Sequence, residues 1–258
     1  MSKELYIERD GAIASLIINR PEKKNAFTLA MFENLPLLLD EIERDSSIKL
    51  LIIRGVDDTA FAAGADISEF LEFRLSDEKA KEYNDKALYA VEKLYRFPKP
   101  TIALIRRLAI GGGLELALAC DFRFASEDSL VGITAANLGI VYNLTSTKRL
   151  MDAVGPSKAK ELLYTGKLVK AAEAKTLGLI DFLHQGDEIY EEMNNFAKQL
   201  SEKSSIALSG TKQVIQAILD GAKEEDEYIS KAVLESYNSD DYKEGIQAFL
   251  EKRKPRFS

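Results

Sequence analysis

A run of three glycines directly after an apolar segment is the feature that most restricts how this chain can fold. The run, Gly111–Gly113, follows a buried strand predicted for residues 101–105 and opens an apolar helical pattern, LELAL. Glycine lets a backbone approach a ligand or another segment closely. The first N–H groups of a helix have no partner inside it and lie at the positive end of its dipole. We therefore expect a strand, a tight turn, and a helix with free N–H groups.

A second segment of small residues, FAAGADI at 61–67, follows another predicted buried strand at 49–55. One N–H group from each segment could together hold an oxyanion. Other glycine-based sites fit poorly, because the chain has neither the Gly-Lys-Ser/Thr of a phosphate-binding loop nor the G-x-G-x-x-G of a dinucleotide fold. The pair of segments, each placed after a strand, favours an oxyanion site over two unrelated turns.

Strand and helix patterns alternate along most of the chain, which predicts an α/β fold. Residues 5–19 alternate around Asp10-Gly11 and predict a hairpin, and further strands are expected at 122–125 and 180–183. Helices are predicted around residues 32–42, where Pro36 should kink the helix or displace its start, and at 79–96. Four more are predicted at 187–203, 208–221, 223–237 and 241–252. We therefore divide the chain into a core at 1–195 and a helical oligomerisation region at 196–258.

Composition excludes several classes of protein. The net charge of -7 argues against nucleic-acid binding, which needs a basic face. No run approaches the roughly 18 apolar residues of a membrane span. The single cysteine, Cys120, allows no internal disulfide, so a cytoplasmic location is expected. The single histidine, His184, is interpreted as a surface residue at a strand end, so the chemistry must do without histidine.

Four stretches together resemble the enoyl-CoA hydratase/isomerase, or crotonase, family. They are FAAGADI at 61–67, GGGLELALACD at 111–121, RPEKKNA at 20–26 and FLEKRK at 249–254. The resemblance implies a spiral of ββα units, a helical C-terminal trimerisation region, and a homotrimer or dimer of trimers. It also implies an acyl-CoA substrate, with coenzyme A entering as part of that substrate and no separate cofactor or metal. By the same resemblance, the backbone N–H groups of Ala65 and Gly112 form the oxyanion hole.

By the same resemblance, the coenzyme A portion is expected to lie along RPEKKNA at 20–26 and FAAGADI at 61–67. Lys23 and Lys24 form a local basic pair on an acidic protein and would lie near the phosphates. The basic tail at 252–256 either adds charge to that site or is simply solvated. The predicted substrate-binding residues are Lys23, Lys24, Ala26, Ala63, Asp66 and Ile67.

The reaction depends on which acids and bases remain. Glu115 stands three residues after Gly112, where the family's hydratases place one of two catalytic glutamates; a solvated helix residue is the alternative interpretation. At the position that matches the second glutamate this chain has Ala135, which cannot transfer a proton. Arg107 also replaces a glycine usual just before the triplet, a change expected to alter the pocket.

The stretch around Tyr142 resembles bacterial methylmalonyl-CoA decarboxylase, as does the tail. Decarboxylation leaves an enolate directly, so it needs an oxyanion hole and a proton source but no general base. We therefore predict an acyl-CoA lyase that decarboxylates a malonyl-type thioester, with Tyr142 orienting the leaving carboxylate or supplying the proton. Tyr142 could equally be a packed aromatic residue. The alternatives are a hydratase or isomerase that uses Glu115 alone, and a non-catalytic acyl-CoA-binding subunit.

Overall fold

The computed structural model describes residues 4–257, and in this range it contains two β-sheets. The larger sheet has the strand order β1-β2-β3-β4-β6-β9, and the smaller one β5-β7-β8. In chain order the strands are β1 (Leu5–Asp10), β2 (Ile13–Ile18), β3 (Leu50–Gly55), β4 (Thr101–Ile105), β5 (Leu108–Ile110), β6 (Phe122–Ser126), β7 (Leu130–Gly132), β8 (Leu168–Lys170) and β9 (Phe182–His184).

The larger sheet confirms the strands predicted for it. β1 and β2 form an antiparallel hairpin around Asp10-Gly11, and the remaining neighbours pair in parallel. The last strand begins two residues later than predicted and ends at His184, which is half-buried. Parallel strands are covered on both faces, which explains why β3 and β4 read as unbroken apolar runs.

The helices cover both faces of the larger sheet. They are α1 (Leu29–Arg44), α2 (Phe70–Phe73), α3 (Asp77–Tyr95), α4 (Gly112–Leu118), α5 (Leu144–Thr165), α6 (Ala171–Leu177), α7 (Glu188–Ser201), α8 (Ser205–Leu219), α9 (Glu227–Tyr237) and α10 (Asp240–Leu250). The predicted α/β class is therefore confirmed. Pro36 does not displace the start of α1, which runs from Leu29 through the proline to Arg44.

Successive residues of the central strands enter two separate cores. On β3, Leu51 and Ile53 join the core that contains α1, α3 and α4, whereas Leu50 and Ile52 join a smaller core under α7. This division follows from the two-residue period of a strand. Phe61, Ala62 and Leu114 belong to the larger core, so this core fixes the position of both glycine segments.

The predicted division at residue 195 falls inside α7. Ile189, Met193 and Ala197 lie on both sides of that division, and all three are buried against the same sheet face. The structure therefore places all of α7 with the sheet, and the separate helical layer begins at α8. Lys212 on α8 ties this layer to the core, because its ammonium group donates to Asp121 at 2.8 Å.

None of the helices in the described range is long and apolar enough to cross a membrane.

Candidate active site

The two glycine segments lie side by side because residues 61–65 run parallel to β5. Ala62 donates its N–H to the carbonyl of Leu108 at 3.1 Å, and its own carbonyl accepts from Ile110 N at 3.0 Å. Gly64 and Ala65 therefore stand against the start of α4. The helix itself begins at Gly112, as the glycine triplet predicted.

Close backbone contact explains two of these glycines. A Cβ atom on Gly113 would lie 2.1 Å from the carbonyl oxygen of Ala62, a distance no side chain can occupy. A Cβ atom on Gly64 would lie 2.9 Å from the carbonyl oxygen of Ile110, and the φ of Gly64 is +97°, a value that favours glycine. Both residues let the segments approach as closely as they do.

At the junction where residues 61–65 meet the start of α4, the backbone N–H groups of Ala65 and Gly112 have no hydrogen-bond acceptor within residues 4–257. The N–H of Gly112 is the first of a helix and so lacks an intrahelical partner. A Cβ atom placed on Gly112 would lie 3.7 Å from the nitrogen of Ala65, so the two groups share one small space. The geometry suits an oxygen atom that accepts from both.

The N-terminal segment forms the other border of this junction. Phe27 donates its N–H to the carbonyl of Gly64 at 2.7 Å, and its carbonyl accepts from Asp66 N at 2.8 Å. The carbonyl of Lys24 accepts from Ala63 N at 3.0 Å, which places the predicted basic pair beside the small-residue segment. Lys23 and Lys24 are both exposed, and neither has an ion-pair partner in the described range. Their charges are available to a bound anion.

Asp66 holds these two segments together instead of facing the cavity. Its carboxylate accepts from Arg20 at 3.0 Å and from the Ser68 hydroxyl at 2.6 Å, and only 8% of the residue is exposed. The Ser68 hydroxyl, and after it Arg20, lower the pKa of Asp66. Arg20 also donates to the carbonyl of Ala26 at 2.6 Å. Asp66 and Ala26, both predicted to bind substrate, are thus buried supports of the site.

Glu115 lies one turn into α4, three residues after Gly112. Its side chain is 13% exposed, so it is not the solvated helix residue of the alternative interpretation. The Tyr142 hydroxyl donates to one carboxylate oxygen at 3.1 Å, and the Ser146 hydroxyl donates to the other. The guanidinium of Arg149 lies 3.9 Å from the second oxygen. Both carboxylate oxygens are therefore held in place.

The residues that hold Glu115 are themselves fixed. Asn143 caps α5 by accepting from Ser146 N at 2.9 Å, which orients the first turn of that helix. Arg149 pairs with Glu92 and lies over the ring of Tyr95, with its guanidinium carbon 4.7 Å from the ring centroid. Burial, and after it the neighbouring Glu115 carboxylate, raises the pKa of Tyr142 well above its usual value. The Tyr142 hydroxyl therefore stays protonated and acts as a donor.

A cavity of about 570 Å³ opens at this junction. Its lining includes six of the predicted site residues: Ala63, Ala65, Ile67, Gly112, Glu115 and Tyr142. Lys23, Lys24, Ala26 and Asp66 do not line it. The remaining wall comes from α2, α3 and the loop before α5, and most of its side chains are apolar. A cavity of this size and character suits an acyl chain.

Two departures from the family pattern have different consequences. Ala135 lines the cavity, so the position that would carry a second acid carries a methyl group instead. Arg107 has a left-handed backbone with φ of +55°, which explains why glycine is usual there. Its side chain is 63% exposed and does not line the cavity, so the expected change to the pocket is wrong.

Sequence reasoning missed the polar residues that surround Glu115. Ser146 and Arg149 are spaced three apart and share one face of α5, and Glu92 lies on α3. Predicting α5 as a helix would have shown that Ser146 and Arg149 point the same way. Nothing in the sequence indicated that this face would meet Glu115. In the described range, no group of three or more His, Cys, Asp or Glu residues is placed to hold a metal ion.

Comparison with known proteins assigns the family. A family model described as enoyl-CoA hydratase/isomerase matches residues 8–258. The chain is 34% identical over 259 residues to the crotonyl-CoA hydratase of Syntrophomonas wolfei, covering 99% of this chain and 98% of the relative. It is 32% identical over 254 residues to the short-chain-enoyl-CoA hydratase of Clostridium acetobutylicum, covering 97% of this chain and 95% of the relative.

The chain belongs to the enoyl-CoA hydratase/isomerase family. A solved structure of a family protein from Hyphomonas neptunium superposes with a TM-score of 0.96 at 35% identity, covering 100% of this chain and 98% of that one. This likeness confirms the predicted crotonase fold with its helical C-terminal region. The two enzymes named above are hydratases, and the predicted decarboxylase branch finds no support among the relatives compared.

Proposed function

We propose that this protein is an enoyl-CoA hydratase in which Glu115 is the only catalytic carboxylate. The observation that carries the proposal is the position of Glu115, held by Tyr142 and Ser146 in the cavity that the unpaired N–H groups of Ala65 and Gly112 also line. That arrangement provides a base and an oxyanion site in one cavity. The hydratase names of the relatives support it.

The proposed reaction adds water across the double bond next to the thioester carbonyl. Glu115 takes a proton from water while the water oxygen attacks Cβ, and the π electrons move to the carbonyl oxygen. The N–H groups of Ala65 and Gly112 stabilise the resulting enolate oxygen. When the carbonyl re-forms, Cα takes the proton back from Glu115. One carboxylate thus serves as base and then as acid, and the product gains one H and one OH.

The polar partners of Glu115 are proposed as positioning residues. Tyr142 and Ser146 fix its two oxygens, and Arg149 balances its charge. A phenol has a single proton, and the proton of Tyr142 is donated to Glu115. Tyr142 therefore cannot at the same time orient a leaving carboxylate, which was one of the two roles that the decarboxylase prediction gave it.

A second candidate is the shift of an enoyl double bond. The specific observation is Ala135, because moving a proton from Cα to Cγ needs only one carboxylate, whereas hydration usually employs two. Glu115 would remove the Cα proton and return it at Cγ, with the same two N–H groups holding the dienolate oxygen.

Coenzyme A is proposed to bind with its phosphates at Lys23 and Lys24, and no other cofactor is needed for either reaction. The protein is also proposed to form a homotrimer or a dimer of trimers. The support is the exposed apolar surface on α9 and α10, which includes Leu234 at 60% exposed and Phe249 at 82% exposed. A surface of this kind is typical of an interface.

The deciding experiment offers the purified protein crotonyl-CoA, cis-3-hexenoyl-CoA and methylmalonyl-CoA and identifies the products by mass spectrometry. We expect crotonyl-CoA to gain the mass of one water. Conversion of only the 3-enoyl thioester would favour the isomerase. Consumption of methylmalonyl-CoA alone would restore the decarboxylase, and tight binding without turnover would indicate a non-catalytic acyl-CoA-binding subunit.

A further inference from the structure

The α2–α3 wall of the cavity carries an arginine with no counter-ion. Arg74 follows α2, and its guanidinium carbon lies 3.9 Å from the ring centroid of Phe70 and 4.3 Å from that of Tyr83. Its Nε is buried and has no acceptor, and no residue between 4 and 257 forms an ion pair or a hydrogen bond with its guanidinium. The charged group is thus held between two rings beside the cavity with its donors unused.

A second unused donor stands next to it. Tyr83 is 1% exposed, and its hydroxyl is buried without a partner in the described range. Phe32 and Phe70 pack edge-on against its ring, with centroids 6.2 and 5.8 Å away, so the ring is fixed. Burial raises the pKa of Tyr83 to about 12, and the hydroxyl therefore remains a donor at neutral pH.

Two carboxylates near the Tyr83 side chain already have partners. Asp66 is paired with Arg20, and Glu69 accepts from Leu29 N at 2.7 Å. On the same cavity wall, Asp85 pairs with Lys81 at 2.5 Å.

The remaining cavity carboxylates leave Arg74 uncompensated. Glu115 is balanced by Arg149, and Asp77 is exposed on the first turn of α3. Burial lowers the pKa of the Arg74 guanidinium, and no carboxylate lies close enough to offset that effect. The cavity thus has one uncompensated cation among the groups of this wall.

An unpaired cation and an unsatisfied buried hydroxyl are both costly, and buried polar groups normally have partners. One carboxylate could accept from both Arg74 and Tyr83. A guanidinium can donate two parallel N–H bonds to the two oxygens of a carboxylate, and the phenol can add a third charge-assisted hydrogen bond. Most of the surrounding cavity lining, which includes Leu88 and Val91, is apolar. Arg74 and Tyr83 both line this mostly apolar cavity, and a few polar groups in such a lining are what select a ligand.

We propose that the cavity accepts acyl-CoA thioesters whose acyl chain ends in a second carboxylate, and that Arg74 and Tyr83 bind that carboxylate. The inference rests on the proposed function only in placing the acyl chain in this cavity. It names the substrate class: monothioesters of dicarboxylic acids, in preference to plain fatty acyl chains.

The test compares saturated thioesters that bind without reacting. Glutaryl-CoA and adipyl-CoA are matched with 5-methylhexanoyl-CoA and 6-methylheptanoyl-CoA, in which an isopropyl group replaces the carboxylate at the same chain length. Affinity is measured by calorimetry on the full-length protein. We expect at least one dicarboxylic thioester to bind more tightly than its hydrocarbon partner. Arg74→Met should reduce that affinity by roughly 10–150-fold, the range for a hydrogen bond to a charged group, and leave the hydrocarbon thioesters unaffected.

Tyr83→Phe removes only a hydroxyl that has no partner within the described residues. It should therefore weaken binding of the dicarboxylic thioester without destabilising the fold. It therefore remains informative if Arg74→Met folds poorly. Lys81→Met is the matched control, because Lys81 is a cation on the same wall that already has a counter-ion. This variant should keep the preference for dicarboxylic thioesters. Arg74→Lys should retain part of the preference for dicarboxylic thioesters, because lysine keeps the positive charge but cannot donate the two parallel hydrogen bonds of a guanidinium.

Equal or tighter binding of the hydrocarbon thioesters would overturn the inference, as would a preference that both Arg74→Met and Tyr83→Phe leave unchanged. Because these thioesters contain no double bond, a dicarboxylic preference in a protein that fails to hydrate any enoyl-CoA would overturn only the proposed function. Failure to bind all four thioesters would overturn both.

Discussion

If the proposed hydratase function is correct, replacing Glu115 by glutamine should remove most of the activity while leaving the fold and acyl-CoA binding in place. The substitution keeps the shape of the side chain on α4. The amide oxygen can still accept from one of the two hydroxyls, but the amide nitrogen cannot accept from the other. The variant therefore loses one local hydrogen bond and its ability to take a proton from water.

The size of the loss follows from what else lines the cavity. Tyr142 cannot act as the base, because its pKa is raised and its hydroxyl stays protonated. Asp85 is paired with Lys81, and Ala135 offers no carboxylate. With no replacement for Glu115, kcat should fall by ~10²–10⁴-fold, the usual contribution of a general base. At 1.36 kcal/mol per decade, this loss corresponds to about 2.7–5.4 kcal/mol of transition-state stabilisation.

The assay follows the loss of the ultraviolet absorbance of crotonyl-CoA under saturating substrate. Butyryl-CoA, which has no double bond, reports binding separately. Asp77→Asn is the matched control, because it makes the same chemical change at an exposed carboxylate that lines another wall of the same cavity, and it should retain nearly full activity. Near-normal turnover by Glu115→Gln, with butyryl-CoA bound normally, would refute Glu115 as the only acid and base.

Further predictions concern coenzyme A binding, the oxyanion site, stability and assembly. Lys23→Gln with Lys24→Gln should weaken acyl-CoA binding and flatten its dependence on salt in calorimetry, because exposed charges are screened; equal salt dependence in wild type and variant would contradict this. Gly112→Val should abolish turnover of every substrate, since its side chain would fill the space beside the N–H of Ala65, while circular dichroism stays unchanged. Asp66→Asn should lower the free energy of unfolding by roughly 1.5–3 kcal/mol at neutral pH, because it weakens hydrogen bonds between charged groups. The pKa of Asp66 is lowered in the folded state, so its contribution is present above the unfolded pKa and is lost as the pH falls through the folded value. Urea unfolding of wild type and variant should therefore converge in acid, and a constant difference at every pH would contradict the role of the carboxylate. Sedimentation should show a trimer or hexamer, and a monomer at micromolar concentration would remove α9 and α10 as an interface.

Local sequence was sufficient to predict those elements that depend on only a few neighbouring residues. The Asp10-Gly11 turn fixed the hairpin, and the apolar run at 101–105 matches β4 residue for residue. The glycine triplet correctly marked the start of α4. In each case the responsible physics is short-range: turn conformation, strand burial or the backbone freedom of glycine.

The smaller sheet could not be predicted in this way. Its strands β5, β7 and β8 have three residues each, too few for a period of two to show. They exist because distant segments supply their hydrogen-bond partners, with β7 lying between the other two. No helix was predicted over α5, in which two helical segments meet at a kink where Gly155 has a non-helical backbone with φ of +75°.

The sequence by itself determined which backbone and which carboxylate form the candidate site. The two small-residue segments can pack closely only because Gly64 and Gly113 have no side chain. Glu115 lies in the first turn of the helix that the glycine triplet begins, so its place beside these segments is also set by the sequence. What only the tertiary structure decided is the surroundings of that carboxylate and of the acyl chain. Ser146 lies 31 positions along the chain from Glu115, and no local pattern links the two. The packing of α3 and α5 against α4 brings such groups together, and this packing is a property of the whole core.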